Sequence, residues 1–300
     1  MNFLDLLVKG YYKLHNYPHV PVRLLSPARY LVRCSADFFI PRWFHRHPAK
    51  ISDRTCDVVV SFTSFPARIN EVWQVVECML RQTVRPMKVI LWLSELQFQS
   101  KDQIPNKLRQ YENELFEIRL VNGDIRSHKK YLYVCREFPN NNVLLIDDDV
   151  YYPSDMLEMM LNEYCDGRNV VCQYAYRILY LSEGQLAPYN KWISENGYYK
   201  GFDLFFGSGG GVLFRPNCLF QDLTNIDLAL SLCPSADDIW LNAMARLAGL
   251  PIVKVAGTTS SILPIHQTGE DTCLSTINVF QGANDHQLNA VNEYYKKNIF

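Results

Sequence analysis

Short apolar runs alternate with amphipathic stretches through the first half of the chain. "DVVVSFTSFP" (residues 57–66) is a β-branched run closed by Pro66, the pattern of a buried strand entering a loop. In "INEVWQVVECMLRQT", Val72, Val75, Val76, Met79 and Leu80 recur at helical spacing. "KVILWLS" predicts a second buried strand, "IPNKLRQYENEL" a helix, and "FEIRLVNGD" a third strand ending at Asn-Gly. "HKKYLYVCREF" predicts a further helix and "NVLLI" a fourth strand. Strands separated by helices imply a parallel sheet covered on both faces, with ligands bound beyond the carboxyl ends of the strands.

The second half is less regular. "MLEMMLNEYC" predicts a helix, with Ser154 as its cap, and "NVVCQYAYRILYL" one long or two short strands. "GFDLFFGSGGGVLFRPN" predicts an aromatic, glycine-dense loop feeding a strand. "SADDIWLNAMARLAGL" predicts a helix capped by Ser235, "PIVKV" a short strand, and "NDHQLNAVNEYYKKN" a last helix. The expected organisation is an extension over residues 1–55 and an α/β domain over 56–300, with halves at 56–150 and 151–300.

Composition permits this: 300 residues, 48% apolar and 13% aromatic, suffice for a large core. Nine scattered cysteines without a CxxC pair, and no export signal, read as reduced, mostly buried thiols in a cytoplasmic protein. No run of about 18 apolar residues predicts a membrane span.

Charge is uneven. Residues 1–50 hold eight Lys/Arg against Asp5 and Asp37, or +6, although the whole chain is −1. Phe3, Tyr11, Tyr12, Tyr30, Phe38, Phe39, Trp43 and Phe44 lie among these cations. The mixture suits an anionic membrane surface, which would make the protein peripheral on the inner face of the membrane. It equally suits an extension whose rings pack on the main domain. Nucleic acid is disfavoured by the acidic remainder and the lack of a recognisable module.

The strongest chemical signal is Asp147-Asp148-Asp149, directly after the fourth predicted strand. Three adjacent carboxylates repel unless a cation joins them. An EF-hand fails, because Tyr152 occupies the position that needs glycine. On extended backbone Asp147 and Asp149 point one way, which suits Mg²⁺ or Mn²⁺ shared with substrate phosphates. His266 is the candidate third ligand. Asp237 and Asp238 open a predicted helix, and four glycines (207, 209, 210 and 211) sit between aromatics.

An Asp-x-Asp after the fourth strand resembles the nucleotide-sugar-dependent glycosyltransferases of GT-A fold. The set "VVVSFTSFPARI", "VVECMLRQTVRPMKVILWLS", "SHKKY" and "ADDIWL" agrees in order over residues 57–290 and is most similar to bacterial enzymes of surface polysaccharide. The resemblance implies a GT-A-like, mostly parallel central sheet flanked by helices, with a smaller irregular acceptor-side half. It implies a nucleotide-sugar donor and a glycan or lipid-linked acceptor. Donor contacts would come from Thr63, Phe65, Arg68, Ser94, Lys129, Lys130, Asp147 and Asp148, and metal contacts from Asp149, Asp147 and His266. Acceptor contacts would come from Gly209, Gly210, Gly211 and Trp240. Asp238 would be the base of an inverting reaction, with Asp237 positioning the acceptor. The second strand departs from the pattern, ending in Leu93-Ser94-Glu95 rather than an Asp-rich end. A nucleotidyltransferase is the rival enzyme, though no glycine-rich phosphate loop follows the first strand. A glycan-binding or scaffold protein without turnover is the non-enzymatic rival.

Overall fold

The computed structural model describes residues 2–15, 22–181, 184–259, 262–266 and 282–300. Cys273 and residues 267–281 of the resemblance lie outside the described residues. Two helices, α1 (Phe3–His15) and α2 (Val22–Arg46), precede the first strand, β1 (Val58–Thr63). Next come α3 (Trp73–Leu80), β2 (Lys88–Ser94), α4 (Asn106–Arg109), β3 (Phe116–Val121), α5 (Lys129–Glu137) and β4 (Asn142–Leu145). The remainder is α6 (Met156–Glu163), β5 (Val170–Cys172), β6 (Ala175–Arg177), β7 (Ile193–Glu195), β8 (Tyr199–Gly201), β9 (Leu204–Phe206), β10 (Val212–Phe214), α7 (Ile226–Leu232), α8 (Asp237–Leu247), β11 (Ile252–Lys254) and α9 (Ala283–Tyr295).

The main sheet runs β3-β2-β1-β4-β10-β5-β11-β8, and a small second sheet runs β7-β6-β9. Strands β3, β2, β1 and β4 pair in parallel, while β10 enters antiparallel between β4 and β5. The chain leaves β1 toward β2 and β3, then returns to place β4 on the other side of β1. That reversal is the switch point at which ligands bind in open α/β sheets.

Alternation along β1 sends Val58, Val60 and Phe62 to one face and Val59 to the other. On the first face they pack with α1, α2, α3 and α6; on the second, with α5, α8 and α9.

Several local expectations shift for identifiable reasons. The helix expected over "IPNKLRQYENEL" closes after α4. There Asn113 Oδ1 accepts the N–H groups of Leu115 (2.7 Å) and Phe116 (3.0 Å) and turns the chain. The "NVVCQYAYRILYL" segment forms two strands, because the chain changes sheets between Cys172 and Ala175 and leaves Tyr174 at the corner. Ser235 does not cap α8, whose N-cap residue is Ala236; its hydroxyl meets Gln287 instead. Of the eight described cysteines, all free, only Cys78, Cys135, Cys172 and Cys233 are buried, so burial of the thiols is less general than expected.

The leader divides its aromatics between the two expected readings. Leu4, Val8, Tyr11, Tyr12, Ala36, Ile40 and Phe44 join the core that contains β1. Asn2 caps α1 by accepting the Asp5 N–H at 2.8 Å. Asp5 then reaches across to Ser154, accepting from its N–H and its hydroxyl, both at 2.7 Å. Ser154 therefore does not cap α6, whose N-cap residue is Asp155. Asp5→Ala would leave the buried Ser154 N–H without an acceptor. It is expected to cost about 1–3 kcal/mol, read as a lower urea midpoint at unchanged slope. A variant as stable as the parent would mean that α1 contributes little at this junction.

Candidate active site

The carboxyl ends of β1 and β4 meet at the switch point, and each supplies part of one charged cluster. After β1, the Ser64 hydroxyl donates to Asp148 at 2.6 Å and Arg68 donates to the other Asp148 oxygen at 3.0 Å. The same Arg68 nitrogen lies 2.7 Å from Asp149. Asp148 is buried beneath this pair, whereas Asp147 and Asp149 stay partly open.

Asp147 is held from two directions. Its N–H donates to the Tyr152 hydroxyl at 2.9 Å, and that hydroxyl donates to the Gly209 carbonyl at 2.6 Å. Its carboxylate accepts from Lys130 at 2.9 Å. The buried Lys130 ammonium also lies 3.0 Å from Asp237 at the start of α8. One residue on, Asp238 accepts from the Ser208 N–H at 3.0 Å and from the Ser208 hydroxyl. Lys130 thus joins the β4 carboxylates to those of α8 across one cleft.

The charges do not balance. Among the described residues, Asp147, Asp148, Asp149, Asp237 and Asp238 form ion pairs only with Arg68 and Lys130. Burial, then the neighbouring Asp148, pushes the Asp149 carboxyl up to about 7. Burial, then Asp237, pushes Asp238 up to about 7 as well. Asp237 goes the other way: burial raises it, but Lys130 and then His128 outweigh that and hold it below the ordinary range. Burial works against the Lys130 ammonium, yet Asp147, Asp237 and Asp238 together keep it well above its usual value. Burial lowers the His128 imidazole, which packs between the Tyr131 hydroxyl and the Cys233 carbonyl.

This excess of negative charge fits a divalent cation. Among the described residues no three His, Cys, Asp or Glu side chains are grouped to hold an ion by themselves. Asp147 and Asp149 would therefore supply two hard oxygen ligands and leave the other positions to water and phosphate, as Mg²⁺ and Mn²⁺ allow.

The glycine-rich loop closes directly on this cluster. A Cβ at Gly209 would stand 2.5 Å from an Asp147 carboxylate oxygen, and one at Gly210 would stand 2.4 Å from the Tyr174 ring. Gly211 has φ +105°, which side chains rarely adopt. Gly209→Ala must displace the Asp147 carboxylate. We expect a fold that survives and metal-dependent nucleotide binding weakened about tenfold or more, on the order of the cost of misplacing one ligand. Unchanged affinity by calorimetry would show that Asp147 does not contact the ion.

Tyr174, Tyr176 and Tyr189 form an aromatic row, with ring centroids 6.0 and 6.1 Å apart in sequence along it. Burial, followed by the Asp238 charge, raises the Tyr174 and Tyr176 phenols, so this row borders Asp238.

Several residues expected at the site are placed otherwise. Lys129 is buried against Asp124, and Lys130 is engaged by Asp147 and Asp237, so neither ammonium is free to meet a donor phosphate. Asp237 is buried, with a carboxylate oxygen 3.0 Å from the Lys130 ammonium. Trp240 is fully buried with its indole N–H on the Leu223 carbonyl at 3.0 Å, which makes it core. The Gly209–Gly211 run is buried and approaches Asp147 and Tyr174 rather than open space. Ser94 donates to the Gly123 carbonyl and Thr63 to the Trp92 carbonyl, so both hydroxyls serve the sheet. His266 is exposed, with its N–H on Asp37 at 3.1 Å, and among the described residues it joins no set of ligands. Phe65 stays at the mouth, its ring 5.4 Å from the Arg68 guanidinium. Ser64, Tyr152, Tyr174 and Ser208 escaped the sequence reading. Ser208 had a signal, the lone hydroxyl inside "FGSGGG", and Tyr152 another, five residues beyond the acid it serves.

No family model matches the chain, and no curated protein matches it. Among solved structures it is similar to an apo UDP-glucose pyrophosphorylase, at 12% identity over 82% of this chain and 99% of that one, with a TM-score of 0.40. It is also similar to a 4-diphosphocytidyl-2C-methyl-D-erythritol synthase from Anaerococcus prevotii, at 10% identity over 80% and 96% of the two chains and a TM-score of 0.39. A third similar structure is HddC from Yersinia pseudotuberculosis, at 12% identity over 54% and 77% and a TM-score of 0.34. Likeness of this degree assigns neither a family nor an activity. The chain is an α/β protein with a large, mostly parallel central sheet flanked by helices.

Proposed function

We propose that the cleft transfers a sugar from a nucleoside-diphosphate donor to a hydroxyl of a glycan or lipid-linked acceptor. The observation that carries this reading is the Lys130 bridge, which sets a partly open acid pair at β4 beside a raised carboxylate at α8. The first suits a diphosphate with its ion; the second suits a base. Mg²⁺ or Mn²⁺ on Asp147 and Asp149 would neutralise charge gathering on the departing diphosphate.

The chain's own residues do the rest. Ser208 fixes the Asp238 carboxylate through two hydrogen bonds, and a value near 7 suits a base working at neutral pH. Asp238 takes the proton of the acceptor hydroxyl as its oxygen bonds to the anomeric carbon and the bond to the diphosphate oxygen breaks. A single displacement of this kind inverts configuration. Tyr174, Tyr176 and Tyr189 offer ring faces on which the apolar side of an acceptor sugar can stack. Asp237 keeps Lys130 charged and in place.

Arg68 among the carboxylates also favours a second reading, nucleotidyl transfer, in which its guanidinium meets a phosphate under attack. The two give different products. The full-length protein, incubated with a panel of nucleotide sugars and Mn²⁺, is expected to release nucleoside diphosphate and to stop in EDTA. Pyrophosphate release from nucleoside triphosphate and a sugar 1-phosphate, without diphosphate release, would replace the first reading with the second.

A further inference from the structure

The outer face of α2 is apolar where a free helix should be polar. Leu24, Leu31 and Phe38 recur every seven residues, and Leu24 and Leu31 keep 71% and 64% of their surface exposed. Tyr30 and Phe39 flank them, also exposed. Arg23, Arg42 and Arg46 rise from the same side and are exposed too. In the C-terminal half of α2 the opposite side, through Ala36, Ile40 and Phe44, is buried in the core, whereas residues 23–35 include no buried residue. The only acid on α2, Asp37, turns to the His266 N–H.

We propose that this face lies on an anionic lipid bilayer, with Leu24, Leu31 and Phe38 in the headgroup layer and the arginines on lipid phosphates. Charge decides between this and a second copy of the chain. Two such faces would bring arginines against arginines with no acid to answer them, whereas an anionic surface complements every one. No described helix is long and apolar enough to cross a membrane, so the contact is peripheral. Two hydrogen bonds run from α2 to the cleft: Asp37 accepts from the His266 N–H, and the Ile265 N–H donates to the Asp149 carbonyl at 2.7 Å. The docked helix would thus hold the cleft near the bilayer, where a lipid-linked acceptor is presented. That consequence rests on the transfer reaction proposed above; the docking does not.

Flotation of the full-length protein with vesicles tests the docking without turnover. The protein should float with equimolar phosphatidylglycerol and phosphatidylcholine, stay down with phosphatidylcholine alone, and detach as salt is raised. Leu24→Glu with Leu31→Glu should lower partitioning at least tenfold, and each of Arg23→Gln and Arg46→Gln roughly fivefold. These sites are exposed, so thermal melts should match the parent. Equal flotation on neutral vesicles, none on either, or variants that float like the parent would overturn the proposal. So would concentration-dependent dimerisation in sedimentation that the leucine variants abolish, since a second copy would then own the face. Asp149→Ala, which disables the cleft, should float unchanged.

Discussion

Asp238→Asn is expected to lower the transfer rate by about 10²- to 10⁴-fold, the usual worth of a positioned general base. The amide keeps the size of the side chain and can still meet Ser208, but it cannot take a proton. Donor affinity should change little, because Asp147, Asp149 and Lys130 are untouched. The parent should also show an acid limb in kcat/KM. Burial and Asp237 raise the Asp238 carboxyl to about 7, so the base is ionised above that pH and turnover falls as pH drops through it. The measurement is initial rate against pH for both proteins, with product configuration by NMR. Near-normal turnover of the variant, or retention of the donor's configuration, would remove the single-base mechanism while leaving the proposed ion site untouched.

Asp149→Ala is expected to abolish metal-dependent nucleotide binding and transfer together, and to make the metal-free fold more stable. The second effect has a defined sign. The folded-state pKa of about 7 lies above that of an unfolded carboxyl, so the folded chain holds the proton more tightly. The cost of this group is therefore absent at low pH, grows as pH rises from about 4 to about 7, and stays above that. Above pH 7 it is on the order of a few kcal/mol. In EDTA the variant should melt higher than the parent at pH 8 and close to it at pH 4. Arg68 keeps Asp148 as a partner in the variant, so its charge is not stranded. Mn²⁺ with a nucleoside diphosphate should raise the parent's Tm and leave the variant's unchanged. A variant that binds nucleotide like the parent would sink the ligand assignment.

The order of strands and helices around the cleft was legible because apolar periodicity reports which faces are buried, and the β1–α5–β4 core is buried on both sides. The acid triplet was legible for a related reason: three carboxylates after a buried run have few structural uses. What the sequence hid was pairing at long range. Lys129 and Lys130 look alike as neighbours, yet one turns to Asp124 and the other spans Asp147 and Asp237, and nothing local distinguishes them. Asp237 and Asp238 likewise separate only once Lys130 and Ser208 are placed opposite them. Trp240 invited a reading as a sugar platform, because an aromatic residue near a site motif carries no mark of which way it faces. The rings beside Asp238 are instead Tyr174 and Tyr176, brought there by the change of sheet within "NVVCQYAYRILYL", with Tyr189 packed against Tyr176.

The central claim is that the unbalanced carboxylates at the switch point take a divalent ion together with a nucleoside diphosphate. Titrating the protein with Mn²⁺ while following free ion by electron paramagnetic resonance tests it most directly. The account predicts one saturable class of bound Mn²⁺, tightened when nucleoside diphosphate is added and lost in Asp147→Asn with Asp149→Asn. Binding of Mn²⁺ by that double variant equal to the parent's, with or without the diphosphate, would contradict it.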